Sequence, residues 1–320
     1  MKDRTMYFHE PVLLDEVINV IDPKQGENLI DGTLGGGGHA EAILKKTSPG
    51  GKMLGIDLDD EALIESKRRL EKYVDRVILE KGNFVNFLEF TEKHNFHPIN
   101  IFFLDLGISS QQLDSDSMGL SFLKNNLLDM RIGGGGSYDD ERITAEQIIN
   151  NWSADEIIKI LKDYGEERYA KLIVRTIIST RAEKKIENTE QLVDIISSSV
   201  PERYKNQKIH YATKTFQALR IAVNQELESL QIVLPKAFEL LQSGGRIGII
   251  SFHSLEDRIV KRFFQKEAKD CLCEVGTPTC VCNHKKSLEI LTKKPITASS
   301  EELQKNPRSR SAKLRVAKKI

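Results

Sequence analysis

No stretch of this 320-residue chain approaches the 18 consecutive apolar residues of a membrane-spanning helix. The first residues, "MKDRTMYFHEPVLL", lack the apolar core of a secretory signal. A cytoplasmic protein with no membrane partner is therefore expected. Cysteine is missing until residue 271, so no disulfide framework holds the fold together. Net charge is missing as well: 47 basic residues balance 47 acidic ones. That balance hides an asymmetry. Residues 1–110 carry 13 Lys and Arg against 19 Asp and Glu, residues 111–215 carry 15 against 17, and residues 216–320 carry 19 against 11. The last 18 residues hold seven basic side chains and no acid. Such a tail is a solvated surface, an arm that contacts phosphates or, since Leu314 and Val316 are apolar, a segment that packs on the sheet.

The apolar content of 39% and charged content of 29% describe a globular chain with material for a real core. Its first 110 residues alternate strands and helices. "NLIDG", "KMLGIDLD", "RVILEKGNF" and "INIFFLDLG" read as strands, the last apolar nearly throughout, as a strand covered on both faces is. "HAEAILKK" and "DEALIESKRRLEKY" have helical spacing. Alternation with short loops predicts a doubly wound α/β sheet. Residues 111–215 break the pattern: they offer no buried strand, a Gly-rich loop at 130–140, and helical stretches with Thr144, Ser153 and Thr189 as N-caps. Strand–helix texture resumes and reaches "GGRIGIISFHS". The expected organisation is one sheet domain built from residues 1–110 and 216–320, with a helical insertion over 111–215.

In open α/β sheets the ligand lies beyond the carboxyl ends of the strands. Three strand ends here carry an acid: Asp31, Asp57 and Asp105. Asp31 is followed by "GTLGGGGH", whose Gly35 to Gly38 admit positive φ and close approach of a ligand. A glycine loop after the first strand and an acid ending the second suit a cofactor with a ribose, NAD or S-adenosylmethionine. Asp31 stands where it would repel a pyrophosphate, an objection that a cationic sulfonium escapes; alternatively Asp31 simply caps the turn. No GK[ST] follows the glycines, which argues against a P-loop.

Other polar stretches have bland readings beside functional ones. "SFHSLEDR" places His253, Ser254, Glu256 and Asp257 at a strand end, where lining a cleft is favoured over a nucleophilic triad because no elbow surrounds Ser254. In "TFQALRIAVNQELESL", Phe216, Leu219, Val223, Leu227 and Leu230 form a core stripe. Gln217, Arg220 and Asn224 form a polar stripe, either surface or cleft wall. Cys271, Cys273, Cys280 and Cys282 with His284 offer soft zinc ligands, although CxC is tighter than the usual CxxC. No metal is expected in the chemistry.

Taken in order, "HEPVLLDEV", "DGTLGGGGHAEAIL", "LGIDLDDEAL", "LDLGISSQQLD", "LDMR", "YGEERYA", "TFQALRIAVNQEL", "GGRIGIISFHSLEDRIVKRFF" and "NPRSRSAKLRVA" resemble the MraW family, from about residue 9 to residue 317. The resemblance implies a class I methyltransferase (Rossmann-like) sheet with an inserted helical subdomain for RNA recognition. It also implies an S-adenosyl-L-methionine-dependent enzyme that methylates the N4 amine of a cytidine in the decoding region of 16S ribosomal RNA, within the small ribosomal subunit. Carried over residue by residue, the cofactor contacts fall on Gly37, Gly38, His39, Asp57, Phe84, Asp105 and Gln112. Asp57 would bind ribose, Phe84 would pack on adenine, and Asp105 would lie near the transferred methyl and act as the catalytic hydrogen-bond acceptor. The chain departs from the family pattern at Gln111, at Lys214 and at "MGL" (118–120), where Pro, Arg and RGF are usual. Lys214 keeps the charge and loses the bidentate fork.

Overall fold

A computed structural model of the chain describes residues 11–108, 119–133, 142–274, 277 and 279–320. It divides into two compact units, Met1–Gly107 with Leu227–Ile320, and Ile108–Glu226.

The first unit is built on seven strands: β1 (Leu29–Asp31), β2 (Met53–Asp57), β3 (Val77–Lys81), β4 (Ile101–Asp105), β5 (Arg246–Ser251), β6 (Leu288–Ile290) and β7 (Lys313–Lys319). Their order is β3-β2-β1-β4-β5-β7-β6. The first five are parallel, and β7 runs antiparallel between β5 and β6. This is the class I methyltransferase sheet. β1, β4 and β5 are buried nearly throughout because helices cover both faces. Ile30, Leu54, Phe102, Leu104, Ile247 and Ile249 face one apolar layer, and Leu29, Met53, Ile101, Phe103 and Ile250 face the other. The period-2 alternation of strand side chains makes that division.

The basic C-terminus lies inside this unit. β7 buries Leu314, Val316 and Ala317 fully. Arg315 Nε donates to Asp257 Oδ1 at 2.6 Å, and Lys319 Nζ donates to the carbonyls of Glu239 and Leu241 at 2.7 Å each. The reading of the tail as a phosphate-contacting arm therefore fails for residues 313–319: their alternation is that of a strand with one apolar face. A second buried cation closes the other end of the sheet. Arg246 of β5 donates to Glu27 Oε1 at 2.6 Å and to the Ile21 carbonyl at 2.9 Å, tying the C-terminus of helix Leu14–Ile21 to β5.

The second unit is helical among its described residues: Ala145–Asn151, Ala154–Asp163, Ala170–Glu183, Thr189–Ser199, Glu202–Lys205 and Thr213–Asn224. Thr144 and Ser153 cap their helices through reciprocal capping boxes with Gln147 and Glu156. The third cap is Asn188, one residue before the expected Thr189, which is the first helical residue. Ile148, Ile157, Leu161, Ile173, Ile177, Leu192, Ile196 and Leu219 are fully buried together. The expected junction between 215 and 216 falls inside this unit, since Phe216, Leu219 and Val223 join its core. The stripe that reads as one helix is broken at Gln225, whose φ of 51° ends the first helix; Leu227 and Leu230 sit on the next, Glu226–Leu240.

The polar stripe of Thr213–Asn224 is a clamp. Asn224 accepts from the Ile132 N–H at 2.9 Å and donates to the Met130 carbonyl at 2.8 Å, and Gln217 donates to the Tyr164 carbonyl at 3.0 Å. Arg220 is bidentate to Glu226, both bonds 2.8 Å. In "LDMR", Arg131 is bidentate to Asp129 at 2.7 and 2.8 Å. Glu167 of "YGEERYA", 1% exposed, accepts from the Tyr204 hydroxyl at 2.6 Å and the Tyr169 N–H at 2.8 Å. These motif residues therefore hold the helical unit together.

Among the described residues no helix is long and apolar enough to cross a membrane.

Candidate active site

β1 lies between β2 and β4, where the order of the parallel strands reverses, and this is where an open α/β sheet binds ligands. Asp31 pairs in register with Gly55 and Phe103, so Asp57 and Asp105 each project two residues beyond it on either side. Three carboxyls thus share one end of three adjacent strands.

Each has a different environment. Asp31 is 1% exposed, and burial pushes its carboxyl up to about 8, with Asp105 and Asp57 adding to the rise; the Thr33 N–H donating to Oδ1 at 3.2 Å opposes it. Asp57 is half-buried and also raised by burial, although backbone donors, Asp59 and Gly35 foremost, restrain it. Gly35 N–H gives 2.7 Å to Oδ2, and Asp59 N–H gives 2.9 Å to Oδ1. Asp57 therefore anchors the glycine loop it was expected to face. Asp105 is pushed up to about 7 by burial and by the nearby Glu256 carboxylate. Its side chain as a whole is 24% accessible, but Oδ1 is enclosed and has no hydrogen-bond partner among the described residues. An enclosed carboxylate oxygen without a donor is costly, so this site is built to receive one.

The surrounding residues set that oxygen in place. Thr33 Oγ1 accepts the Asp105 backbone N–H at 2.6 Å. His39 lies in the first turn of helix Gly38–Lys46, with its ring 4.9 Å from that of Phe103. Its Nε2 is 2.9 Å from the Val12 carbonyl, which can only accept, so Nε2 carries the proton. Burial pushes the imidazole down to about 4, hence neutral, and Nδ1 faces Asp105 Oδ2 at 3.7 Å as a second acceptor. Glu256 is 4% exposed and accepts from the N–H groups of Phe252 and His253 at 2.8 and 3.2 Å. It completes the capping box of helix Ser254–Glu267, with His253 as N-cap. The polar residues of "SFHSLEDR" thus make a helix start, and Glu256 acts on the site through its charge.

The four glycines do different work. Gly35 and Gly37 have φ of +51° and +75°, which favour glycine. A Cβ on Gly38 would stand 2.2 Å from Pro11 Cγ and 2.9 Å from Arg69 Nη1, so the fold itself needs glycine there. A Cβ on Gly36 would meet nothing closer than 3.8 Å, and one on Gly35 nothing within 4 Å among the described residues. The open side of the loop is therefore at 35 and 36, two residues earlier than Gly37 and Gly38. Phe84 follows β3 at the head of a short 3-10 turn capped by Asn83 and is half-buried, its Cβ 3.0 Å from where a Cβ on Gly32 would lie.

The structure brings Gly37, Gly38, His39, Asp57, Phe84 and Asp105 to the same end of the sheet and its connecting loops; Gln112, like Gln111 and Met118, lies outside the described residues. Thr33 was not singled out from the sequence, and Gly36 only as one of the four glycines, not among the cofactor contacts. Thr33 has only its place between Asp31 and the glycines as a signal, and Gly36 is indistinguishable from its neighbours until φ and packing are known. Lys214 is in the helical unit, where its Nζ donates to the Glu166 carbonyl at 3.1 Å.

Proteins of known designation are similar to this chain along nearly its whole length. A ribosomal RNA small subunit methyltransferase H from Heliobacterium mobile is 46% identical over 315 residues, 98% of this chain and 99% of its own. Proteins of the same name from Thermomicrobium roseum and Syntrophotalea carbinolica are each 43% identical, covering 100% and 99% of this chain and 96% and 99% of their own. The profile of the MraW methylase family matches residues 6–320. The chain belongs to the MraW methylase family.

Proposed function

We propose that this chain transfers a methyl group from S-adenosylmethionine to the N4 amine of a cytidine in the decoding region of 16S ribosomal RNA, acting in the cytoplasm on RNA of the small subunit. The broader part rests on family membership: the chain is an S-adenosylmethionine-dependent methyltransferase of small-subunit ribosomal RNA. The observation that carries the site is the enclosed Oδ1 of Asp105, without a donor among the described residues, beside the acceptor face of His39.

The residues present fit a cationic cofactor with a ribose. Carboxyls raised by burial are relieved by positive charge, and Asp31, Asp57 and Asp105 provide three at one strand end. Asp57 spends one lone pair of each oxygen on backbone donors and keeps others for ribose hydroxyls. Gly35 and Gly36 leave their side of the loop open for the amino-acid end, with Gly37, Gly38 and His39 shaping the turn, and Phe84 offers a ring for the adenine. Gln112 would add a polar contact. When bound, S-adenosylmethionine supplies an electrophilic methyl on a cationic sulfur.

Cytosine N4 is a poor nucleophile because its lone pair is delocalised into the ring. Asp105, as hydrogen-bond acceptor, draws the amine out of conjugation and orients its lone pair. With a carboxyl held at about 7, it also sits close to the pH at which a proton is exchanged with least penalty. The base must leave any stack to reach a strand end. The helical unit recognises RNA: Arg203, Lys208 and His210 are exposed, and the His210 ring stacks on Phe122 at 4.6 Å and on Tyr211 at 4.1 Å, an aromatic cluster beside cations of the kind that single-stranded RNA uses. Small subunits lacking the modification, incubated with methyl-labelled S-adenosylmethionine and digested to nucleosides, test the reading. Mass analysis should find the label on cytidine N4; label on a base carbon or on ribose overturns it.

A further inference from the structure

The four cysteines of the chain do not serve the strand-end site. They lie between helix Ser254–Glu267 and β6, in a stretch without helix or strand among its described residues. Each is exposed or half-exposed, so apolar burial does not hold the stretch in shape. Yet all four sulfurs lie within 4.8 Å of one another. Cys271 Sγ is 3.5 Å from Cys280 and 3.7 Å from Cys282, Cys280 is 3.6 Å from Cys282, and Cys273 is 4.0 Å from Cys280.

Those distances discriminate between chemistries. A disulfide needs about 2.05 Å, and all four are free thiols. A metal bound tetrahedrally by four thiolates at about 2.3 Å separates its sulfurs by about 3.8 Å. The observed edges bracket that value. The two CxC arms also point backbone donors at the opposing sulfurs: Leu272 N–H at Cys282 Sγ, 3.2 Å, and Val281 N–H at Cys273 Sγ, 3.4 Å, with Cys273 N–H at Cys271 Sγ, 3.4 Å. Such N–H···S bonds stabilise negative sulfur, and outer contacts of this kind accompany thiolate metal sites. His284 is not a fifth ligand: its Nε2 is bonded to the Lys266 carbonyl at 3.0 Å, pinning the end of the stretch to the helix C-terminus.

We propose that Cys271, Cys273, Cys280 and Cys282 bind one soft divalent cation of the zinc class as a closed four-thiolate site. Binding releases four thiol protons to solvent and forms four metal–sulfur bonds, with no change of oxidation state. Four protein ligands leave no open position, so the ion orders the connection into β6 and takes no part in methyl transfer.

The test uses the full chain, purified and reduced without chelators, then titrated anaerobically with Co(II) and separately with Zn(II). Saturation at about one ion per chain with the strong visible absorption of tetrahedral Co(II)–thiolate is expected. Zn(II) should displace it. The Cys280→Ser/Cys282→Ser variant should lose the absorption while binding S-adenosylmethionine as wild type does. Should that variant not fold, Cys273→Ser alone should shift the Co(II) spectrum to a three-sulfur set. Absence of Co(II)–thiolate absorption in the reduced wild type overturns the proposal, as does a spectrum unchanged by Cys273→Ser.

Discussion

His39 Nδ1 and Asp105 Oδ2 face one another at 3.7 Å with no N–H of the described residues between them, because Val12 holds the imidazole proton on the far nitrogen. The pair comes from distant parts of the chain: His39 from the first turn after the glycine loop, Asp105 from the end of β4. Its unmet demand is for N–H groups, which both a cofactor's ammonium and a cytosine amine supply.

The glycine loop makes a two-sided prediction. Gly38→Ala should destabilise the protein by about 1–3 kcal/mol, since the new methyl meets Pro11 and Arg69. Gly36→Ala should leave the unfolding transition in place and weaken S-adenosylmethionine binding. Thermal unfolding and calorimetric titration of both variants check this. Wild-type affinity in Gly36→Ala would move the cofactor away from the open side of the loop.

Asp57→Ala should weaken cofactor binding by roughly 1.5–3 kcal/mol, the scale of a hydrogen bond to a charged group. Part of that loss comes through Gly35, whose N–H loses its acceptor. The folded variant titrated with S-adenosylmethionine gives the number, and unchanged affinity removes Asp57 from the site.

Stability should fall as pH rises from neutrality. Asp31 has its carboxyl raised from 3.8 to about 8, so between those values the folded chain holds more protons than the unfolded one. Its contribution is complete below 3.8 and is lost as pH rises through 8. Asp105, raised to about 7, has the same sign. His39, lowered from 6.5 to about 4, has the opposite sign, its contribution being lost as pH falls from 6.5 through 4. Above 6.5 the acids act alone among these three. Denaturant unfolding from pH 6.5 to about 8.5 should show wild type losing stability and Asp31→Asn losing less. Equal slopes would contradict the burial of a protonated Asp31.

What was legible beforehand follows from how each feature is encoded. β1 to β5 announce themselves by apolar runs ending in polar residues, and the acids at 31, 57 and 105 could be placed at strand ends from those runs alone. β7 was the harder strand to read because four of its seven residues are Lys or Arg, so "KLRVAKK" shows charge before it shows alternation, and only Leu314 and Val316 pointed to the sheet. β6 has three residues, too few for any period. The break at Gln225 left no trace, since a left-handed residue other than glycine is written in packing and not in side-chain type. The roles within the glycine loop were illegible for the same reason: Gly36 and Gly38 differ only in what stands beside them, Glu65 at a distance or Pro11 in contact.

The tail gives a prediction opposite to that of a phosphate arm. Deleting residues 306–320 removes β7, with Leu314 and Val316 fully buried between β5 and β6, and should abolish folding. Arg315→Ala should cost about 1.5–3 kcal/mol by removing the 2.6 Å partner of Asp257, which among the described residues keeps only Lys313 at 3.8 Å. Circular dichroism of the deletion and denaturant unfolding of the point variant check both. A folded deletion that loses only RNA affinity would contradict the placement of the strand.

The most direct test of the account is Asp105→Asn, which keeps size and one acceptor oxygen, with cofactor affinity and single-turnover methylation of unmodified small subunits measured on the same protein. Affinity for S-adenosylmethionine should stay within about tenfold of wild type and turnover should fall by roughly 10²–10⁴, the usual worth of a positioned proton acceptor. Wild-type turnover in that variant would make Asp105 a structural strand end and contradict its role as acceptor of the amine.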